Sequence, residues 1–277
     1  MLTLFLFGLA GFLAQLVDGS LGMAFGVTAT TTLLAVGTAP AVASAAIHLA
    51  EVGTALASGA AHWRLSNIDW RTVGVLAVPG AVGAVLGAYV LTALSTGAAS
   101  VWISTVLLLL GLYVLVRFAF LRLGDLITSR RPGARFLGPL GLVAGFVDAS
   151  GGGGWGPIAT TTLLSSGRLE PRKVVGSVDT SEFLVALAAS GGFFVALSSD
   201  HQLDYTVVAG LMTGGVLAAP LAAWIVRRLA PRVLGTAAGG MIVLTNTLTL
   251  LDVATAGPVA TTLVLAGIGA LWAVGLG

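Results

Sequence analysis

Aspartate, serine and glycine lie close together in one apolar stretch, where they could bind an anion. This stretch contains Asp148, Ser150 and a run of four glycines at 151–154. Because a glycine inside a helix costs about 1 kcal/mol relative to alanine, the run predicts a break, with one helix ending near Val147 and the next beginning near Trp155. The N–H groups at the start of a helix bind anions. The break is therefore a candidate anion site.

The same pattern occurs 130 positions earlier in the chain. The recurring positions are polar residues and glycines: Asp18 aligns with Asp148, Ser20 with Ser150, Gly22 with Gly152 and, after a shift of one residue, His48 with Asp179 and Glu51 with Glu182. Self-similarity at this scale indicates an internal duplication. The glycine run is thinner in the first copy, at Gly19 and Gly22, than in the second.

Composition identifies the class of protein. The chain is 57% hydrophobic and 9% charged, and its mean hydropathy is +1.02. These values predict an all-α integral membrane protein in the lipid bilayer. The chain has no cysteine, which excludes disulfides and thiolate sites. The net charge of +2 does not indicate nucleic acid binding, because the basic residues cluster at the ends of apolar runs.

Apolar runs predict the helices. Residues 2–36 form two stretches of about 16 residues, each about 24 Å long as a helix, which is short for a bilayer core of about 30 Å. A re-entrant hairpin and a pair of short spans both remain open there. The second broken segment is predicted at about 137–167. Full spans are predicted at about 40–61, 72–94, 100–121, 172–198, 205–226, 233–251 and 257–276.

The basic residues predict orientation. They fall in four connections: Arg64 and Arg71; Arg117 to Arg135; Arg168 to Lys173; and Arg227 to Arg232. The positive-inside rule places these connections in the cytoplasm of a multi-pass cell-membrane protein. The two copies are then inverted. We expect a first repeat at 1–122, a cytoplasmic Arg-rich linker at 123–136 and a second, inverted repeat at 137–277.

Inverted repeats that each carry a broken helix are typical of secondary transporters, whose substrate binds where the breaks meet. Scattered glycines such as Gly74, Gly83 and Gly87 are better explained by close helix packing. The two Asp-x-Ser-x-Gly breaks are not, because packing needs neither the adjacent carboxylate nor four glycines together.

The duplicated Asp-x-Ser-x-Gly pattern, the following Pro40 and Pro171 and the central arginine cluster resemble the TauE/SafE sulfite exporter family over essentially the whole chain. This resemblance implies an anion permease without a cofactor. Its substrate would be sulfite, thiosulfate or an organosulfonate such as sulfoacetate, usually moved outward. A homo-oligomer is compatible with the sequence.

Ionisable residues inside the predicted helices are expensive and mark functional positions. Asp18 and Asp148 could cap helices or handle protons and substrate. His48 and Glu51 could pair in the core. Asp179 and Glu182 lie one turn apart, where two carboxylates would share a proton, unless one is solvated near a loop. Five residues are thus predicted to tune charge or couple transport: Asp18, Glu51, Asp148, Asp179 and Glu182.

Substrate binding is predicted to rest on backbone N–H groups, hydroxyls and one cationic candidate, His48, in alternating access of the two repeats. The predicted substrate-binding residues are Gln15, Ser20, Gly22, His48, Ser150, Gly152, Gly153, Gly154 and Trp155. No metal site is expected. Asn246 is predicted to make an interhelical hydrogen bond.

Two other functions are open. In a proton- or cation-coupled permease the carboxylates would bind the ion and the breaks would supply carbonyls. A membrane enzyme is disfavoured, because the sequence has no His-Glu-x-x-His and no Gly-x-Ser-x-Gly motif, and His62 and His201 fall in predicted loops.

Overall fold

The structure, a computed structural model, describes residues 2–21, 23–120, 131–197, 203–225, 231–255 and 257–276. These residues form α-helices and one π-helical turn, Gly156–Thr160, with no strand among them. The helices are α1 Leu2–Leu21, α2 Phe25–Ala35, α3 Pro40–Arg64, α4 Trp70–Ala93, α5 Thr96–Phe120, α6 Ala134–Gly151, α7 Thr161–Ser166, α8 Pro171–Ala196, α9 Tyr205–Ile225, α10 Pro231–Val253 and α11 Pro258–Leu276.

Helix boundaries follow local sequence signals. Four long helices begin with a proline, whose missing N–H would be unpaired in the first turn anyway: Pro40, Pro171, Pro231 and Pro258. The predicted spans agree with these helices to within a few residues. The first broken segment differs from the prediction in the lengths of its two helices. α1 has 20 residues and α2 has 11, whereas the sequence predicted two stretches of about equal length.

Several helices are long and apolar enough to cross a membrane. By length and composition they are Pro40–Arg64, Trp70–Ala93, Thr96–Ala119, Arg172–Ala196 and Thr236–Val253 within the described ranges. Shorter apolar helices include α1, α2 and α11. The prediction of an all-α, multi-pass membrane protein is therefore confirmed.

Corresponding helices of the two copies pack against each other in a symmetric pattern. α1 packs along α9, and its counterpart α6 packs along α4. The counterparts α3 and α8 pack against each other, as do α5 and α10. An internal twofold relation would give this arrangement. The inverted orientation of the second copy, and the domain limits at 122 and 136, stay predictions.

Glycines permit the close approach of α4 and α6. A side chain on Gly83 would overlap the carbonyl of Leu142, and one on Gly87 would press against the carbonyl of Phe146. Their predicted packing role is confirmed. The same prediction is wrong for Gly74, since no atom of the described residues lies within 4 Å of the position that a side chain would occupy.

Three of the four basic connections lie together at one end of the bundle, here called the basic face. Asp69, before α4, donates its N–H to Ser177 at the start of α8, at 2.8 Å, and lies near Arg131 and Lys173. Arg168 stacks over the ring of Phe136 at 4.9 Å. Arg227 and Arg228 lie outside the described residues, as does the side chain of Arg232.

Asp69 also caps α4, because its Oδ1 accepts the N–H of Thr72 at 2.9 Å. Partial burial acts to raise the pKa of Asp69, but the bonds from Thr72 and the charges of Arg131 and Lys173 outweigh it, so this pKa is lowered. The carboxylate therefore stabilises the fold above the unfolded-state pKa of 3.8. That contribution is lost as pH falls through the lower folded-state pKa.

We expect Asp69→Ala to reduce stability by about 1 kcal/mol at neutral pH, because the cap is lost. Thermal unfolding in detergent at several pH values measures this. Asp69→Asn is the matched control, since its amide oxygen still caps the helix but does not titrate. Equal unfolding temperatures for Asp69→Ala and the wild type would show that the cap contributes nothing.

Candidate transport site

The second break begins one turn later than the sequence predicts. α6 continues past Val147 to Gly151, and the hydroxyl of Ser150 donates to the carbonyl of Phe146 at 2.7 Å within the last turn. The helix ends at Gly152, whose φ of 70° and ψ of 31° are left-handed. The predicted end near Val147 is wrong because the first glycine of the run remains helical and the second supplies the cap.

Asp148 accepts the N–H groups of the second break. Its main-chain carbonyl accepts those of Gly152 and Gly153, the latter at 2.9 Å. Its Oδ1 accepts those of Gly154 and Trp155, at 2.8 and 2.9 Å. The N–H groups predicted to cradle an anion are thus bound within the protein itself, two by the main-chain carbonyl of Asp148 and two by its carboxylate.

Asp18 has the same role in the first break. Its Oδ1 accepts the N–H groups of Ala24 and Phe25, at 2.6 and 3.1 Å. Both aspartates therefore cap the helix that follows a break, and both place negative charge at a helix N-terminus, where it is stabilising. A further role in handling protons or substrate stays a prediction. Gly22 and the side chain of Ser20 lie outside the described residues.

The two breaks are in contact, as expected. Gly153 has a φ of +137° and lies against the backbone of Gly26 and Val27, in the first turn of α2, so closely that a side chain would overlap it. The hydroxyl of Thr30 donates to the carbonyl of Gly152. The first turn of α2 is therefore packed into the second break, and only glycine fits at 153.

His48 links α3 to the second break. The side chain is fully buried, with Nδ1 2.7 Å from the carbonyl of Ser44 and Nε2 3.2 Å from Oδ2 of Asp148. Because a carbonyl can only accept, Nδ1 carries a hydrogen. Nε2 therefore faces the carboxylate with a lone pair unless a proton or another cation lies between them. The hydroxyl of Ser44 donates to the carbonyl of Ala149 at 2.7 Å, which fixes α3 to the end of α6.

Glu51 is buried, at 2% exposure, and neither carboxylate oxygen has a hydrogen-bond partner among the described residues. The sequence left open a pairing with His48, but His48 binds Asp148 instead. A buried carboxylate without a partner is costly and calls for an explanation such as water, an ion or a ligand. Oε1 lies beside Gly26, in the first break.

A small cavity lies between the breaks, here called the central cavity. Its volume is about 10 Å³, room for about one water molecule. The cavity is lined by residues 24–27 of the first break, residues 154–157 of the second and the carboxylates of Asp18, Glu51, Asp148 and Glu182. Four carboxylates around one buried space make an unaccompanied anion unfavourable there.

One group of side chains at this cavity could hold a metal ion. Single ligand atoms of His48, Glu51 and Asp148 lie within 4.8 Å of one another. Imidazole and carboxylate ligands suit zinc and related divalent ions. The sequence predicted no metal site. Shared protons would satisfy the same three groups, so the geometry leaves both kinds of cation open.

Comparison with known proteins identifies the family. A sequence model described as Sulfite exporter TauE/SafE matches residues 7–249. The chain belongs to the TauE/SafE sulfite exporter family. A Bacillus subtilis (strain 168) protein described as "Probable membrane transporter protein YtnM" is 49% identical over 273 residues, which cover 98% of the chain and 91% of that relative. No solved structure matches the chain significantly. The chain is thus a membrane transporter of the family it resembles.

Of the remaining predicted substrate residues of this TauE/SafE protein, some line the central cavity and others do not. Gln15 is 3% exposed and faces Gly215 on α9. Ser150 is fully buried and its hydroxyl bonds within its own helix. Trp155 and Gly154 line the cavity, although the indole N–H of Trp155 donates to the carbonyl of Val178 at 3.1 Å.

Asp179 and Glu182, predicted to share a proton, have different surroundings. Glu182 lines the central cavity. Oδ2 of Asp179 accepts the hydroxyl of Ser58 at 2.9 Å and lies 3.4 Å from Nε2 of His62. His62 was predicted in a loop, which is wrong because α3 continues to Arg64. His201 lies outside the described residues.

The sequence did not lead us to predict the hydrogen bonds of two serines in α3 of this TauE/SafE protein. Ser44 and Ser58 each lie four residues before a histidine, the spacing that puts side chains on one helical face. That shared spacing was the available signal. The predicted interhelical bond of Asn246 is confirmed, since its amide donates to the hydroxyl of Thr31 at 3.0 Å.

Proposed function

We propose that this TauE/SafE transporter exports sulfite, or a related thiosulfate or organosulfonate, across the cell membrane. Family membership supports the substrate class. The observation that carries the site is that both helix breaks meet at one small cavity, which is also lined by Glu51, whose carboxylate has no hydrogen-bond partner among the described residues. Substrate is bound between the breaks.

Backbone N–H groups supply the anion contacts. Those of Gly26, Val27 and Gly156 lie in first turns, where no acceptor exists within the same helix, and these residues line the cavity. The N–H groups of Gly154 and Trp155 join them when Asp148 swings away toward His48, which it already contacts. From the sequence pattern we also assign Ser20 and Gly22 of the first break to this anion site.

Charge balance requires a positive partner for the substrate. His48 supplies positive charge beside Asp148, with which it is in contact, and protons on the cavity carboxylates supply the remaining positive charge. A protonated carboxylic acid in the cavity can donate a hydrogen bond to an oxyanion. Once bound, the anion leaves an inside-negative cell downhill, by about 2.3 kcal/mol per charge per 100 mV.

Transport proceeds by alternating access. A cavity that holds about one water is too small for sulfite, so the described conformation is closed around the site. Each copy contributes one break, and a relative movement of the copies opens the cavity. We place the basic face in the cytoplasm, as the positive-inside rule predicts.

A cation permease is the second candidate, favoured by the proximity of His48, Glu51 and Asp148. In that case the carboxylates hold the transported ion and the breaks add carbonyl ligands. Flux would then depend on a divalent cation and be indifferent to sulfite.

Flux of radiolabelled sulfite in liposomes containing the purified protein separates the two candidates. We expect saturable flux that thiosulfate or sulfoacetate inhibits more strongly than sulfate or chloride, and that a membrane potential accelerates outward. Cation flux without sulfite flux would overturn the proposal in favour of the cation permease.

A further inference from the structure

We propose that protons reach the central cavity from the basic face alone, through a port formed by His62 and Asp179. This inference rests on the proposed anion transport and deepens it, because the protons are those that accompany the substrate.

His62 forms the outer part of the port. It lies in the last turn of α3, next to Arg64, and its side chain is 21% exposed. The amide nitrogen of Asn67 lies 3.4 Å from Nδ1. An amide that donates to Nδ1 leaves the hydrogen on Nε2, which faces Oδ2 of Asp179 at 3.4 Å. Histidine exchanges protons with water near neutral pH.

Asp179 forms the inner part of the port, at 7% side-chain exposure. The hydroxyl of Ser58 donates to the same carboxylate oxygen that faces His62, at 2.9 Å, and holds it in place. His62 first takes a proton from water at Nδ1, once Asn67 moves aside, and becomes an imidazolium. The imidazolium then passes its Nε2 proton to Asp179, which leaves a neutral imidazole with its hydrogen on Nδ1.

Two carboxylates continue the path to the central cavity. Glu182 lies one turn beyond Asp179 on α8, and Asp18 approaches from α1; both interact electrostatically with Asp179. Asp18 also interacts with His62. Both line the cavity. Within the described ranges, the charged groups that face the port are therefore Asp18 from α1 and Glu182 from α8, and a proton on either is inside the site.

The opposite side has an apolar residue at the equivalent position. The one-residue shift that aligns His48 with Asp179 and Glu51 with Glu182 also aligns His62 with Phe193. Phe193 is 1% exposed and packs on His48, with ring centroids 5.9 Å apart. The contact of Phe193 with His48 is the counterpart of the contact of His62 with Asp179.

This asymmetry makes the path one-sided. Phe193 can neither donate nor accept a proton, and it belongs to the main apolar core together with Leu91. A proton that reaches the cavity from the basic face therefore stops at His48 while the site is closed. Such a barrier is needed if proton and anion movement are to be linked.

Liposomes that contain a pH-sensitive dye test the proposal, with sulfite flux recorded in parallel at several pH values. Variants and wild type are compared under identical conditions, because sulfite itself binds protons. In the wild type we expect proton movement with sulfite and flux that varies with pH. In His62→Phe, which copies Phe193, we expect both the linked proton movement and the pH dependence of flux to fall about tenfold or more, which corresponds to about 1.4 kcal/mol.

Asp179→Asn should show the same loss of linked proton movement as His62→Phe. The asparagine keeps an oxygen that accepts the hydroxyl of Ser58, but it does not take up or release a proton. Arg64→Gln is the control for a changed charge at the same helix end and should keep the linked proton movement. All three variants should still bind sulfite at one fixed pH. Proton movement and a pH profile like those of the wild type in His62→Phe and Asp179→Asn would overturn the port. Absence of sulfite flux in the wild type would instead overturn the proposed function.

Discussion

Replacing Gly153 with valine is expected to reduce sulfite flux to background while the protein still inserts and purifies. The φ of +137° at this position strains any side chain, most of all a β-branched one. A side chain would also overlap the backbone of Gly26 and Val27 and force the two breaks apart. The site would then lose its two facing walls, although the apolar helices that determine insertion would be unchanged.

Gly74→Val is the matched control for this substitution. Gly74 lies in a helix of the same bundle, and the described part of the chain places no atom within 4 Å of the position of a side chain there. Its variant should retain flux close to that of the wild type. Flux in liposomes and the elution profile in detergent measure both variants. Normal flux through Gly153→Val would show that the contact between the breaks is not needed for transport.

Asp148→Ala is expected to cause the largest loss of stability. Two buried N–H groups, those of Gly154 and Trp155, would lose their acceptor, at about 1–3 kcal/mol each. His48 would lose its buried partner as well. We therefore expect little folded protein and an unfolding temperature well below that of the wild type.

Asp148→Asn separates the cap from the charge. Its amide oxygen can still accept both N–H groups, so the protein should fold. The carboxylate that faces His48 is gone, and we expect flux to fall about tenfold or more, equivalent to about 1.4 kcal/mol. Thermal unfolding and flux are measured together. If Asp148→Ala were as stable as the wild type, the proposed cap would be wrong; if Asp148→Asn transported normally, the charge would have no function.

The helices and both breaks could be predicted from the sequence because their signals are local. Proline at the start of α3 and α8, long apolar runs and the glycine run each act within a few residues. The exception is the end of α6, where Gly151 remains helical and Gly152 adopts the left-handed cap. A run of glycines does not indicate which member supplies the cap.

Partners of the buried polar groups could not be predicted, because they depend on how helices pack. The spacing of His48 and Glu51 places them on one face of α3 but does not indicate which helix lies opposite. Packing brings Asp148 to His48 and leaves Glu51 at the cavity. The contact of His62 with Asp179 was missed for the same reason, since Asp179 lies 117 residues away on α8.

The most direct test of the central claim is the position of bound substrate. Selenite has the shape and charge of sulfite, and selenium gives an anomalous X-ray signal that locates it. A structure of the full chain with selenite is expected to show selenium between residues 24–27 and 154–157, beside Glu51. Selenium bound elsewhere, with the space between the two breaks unoccupied, would contradict the account.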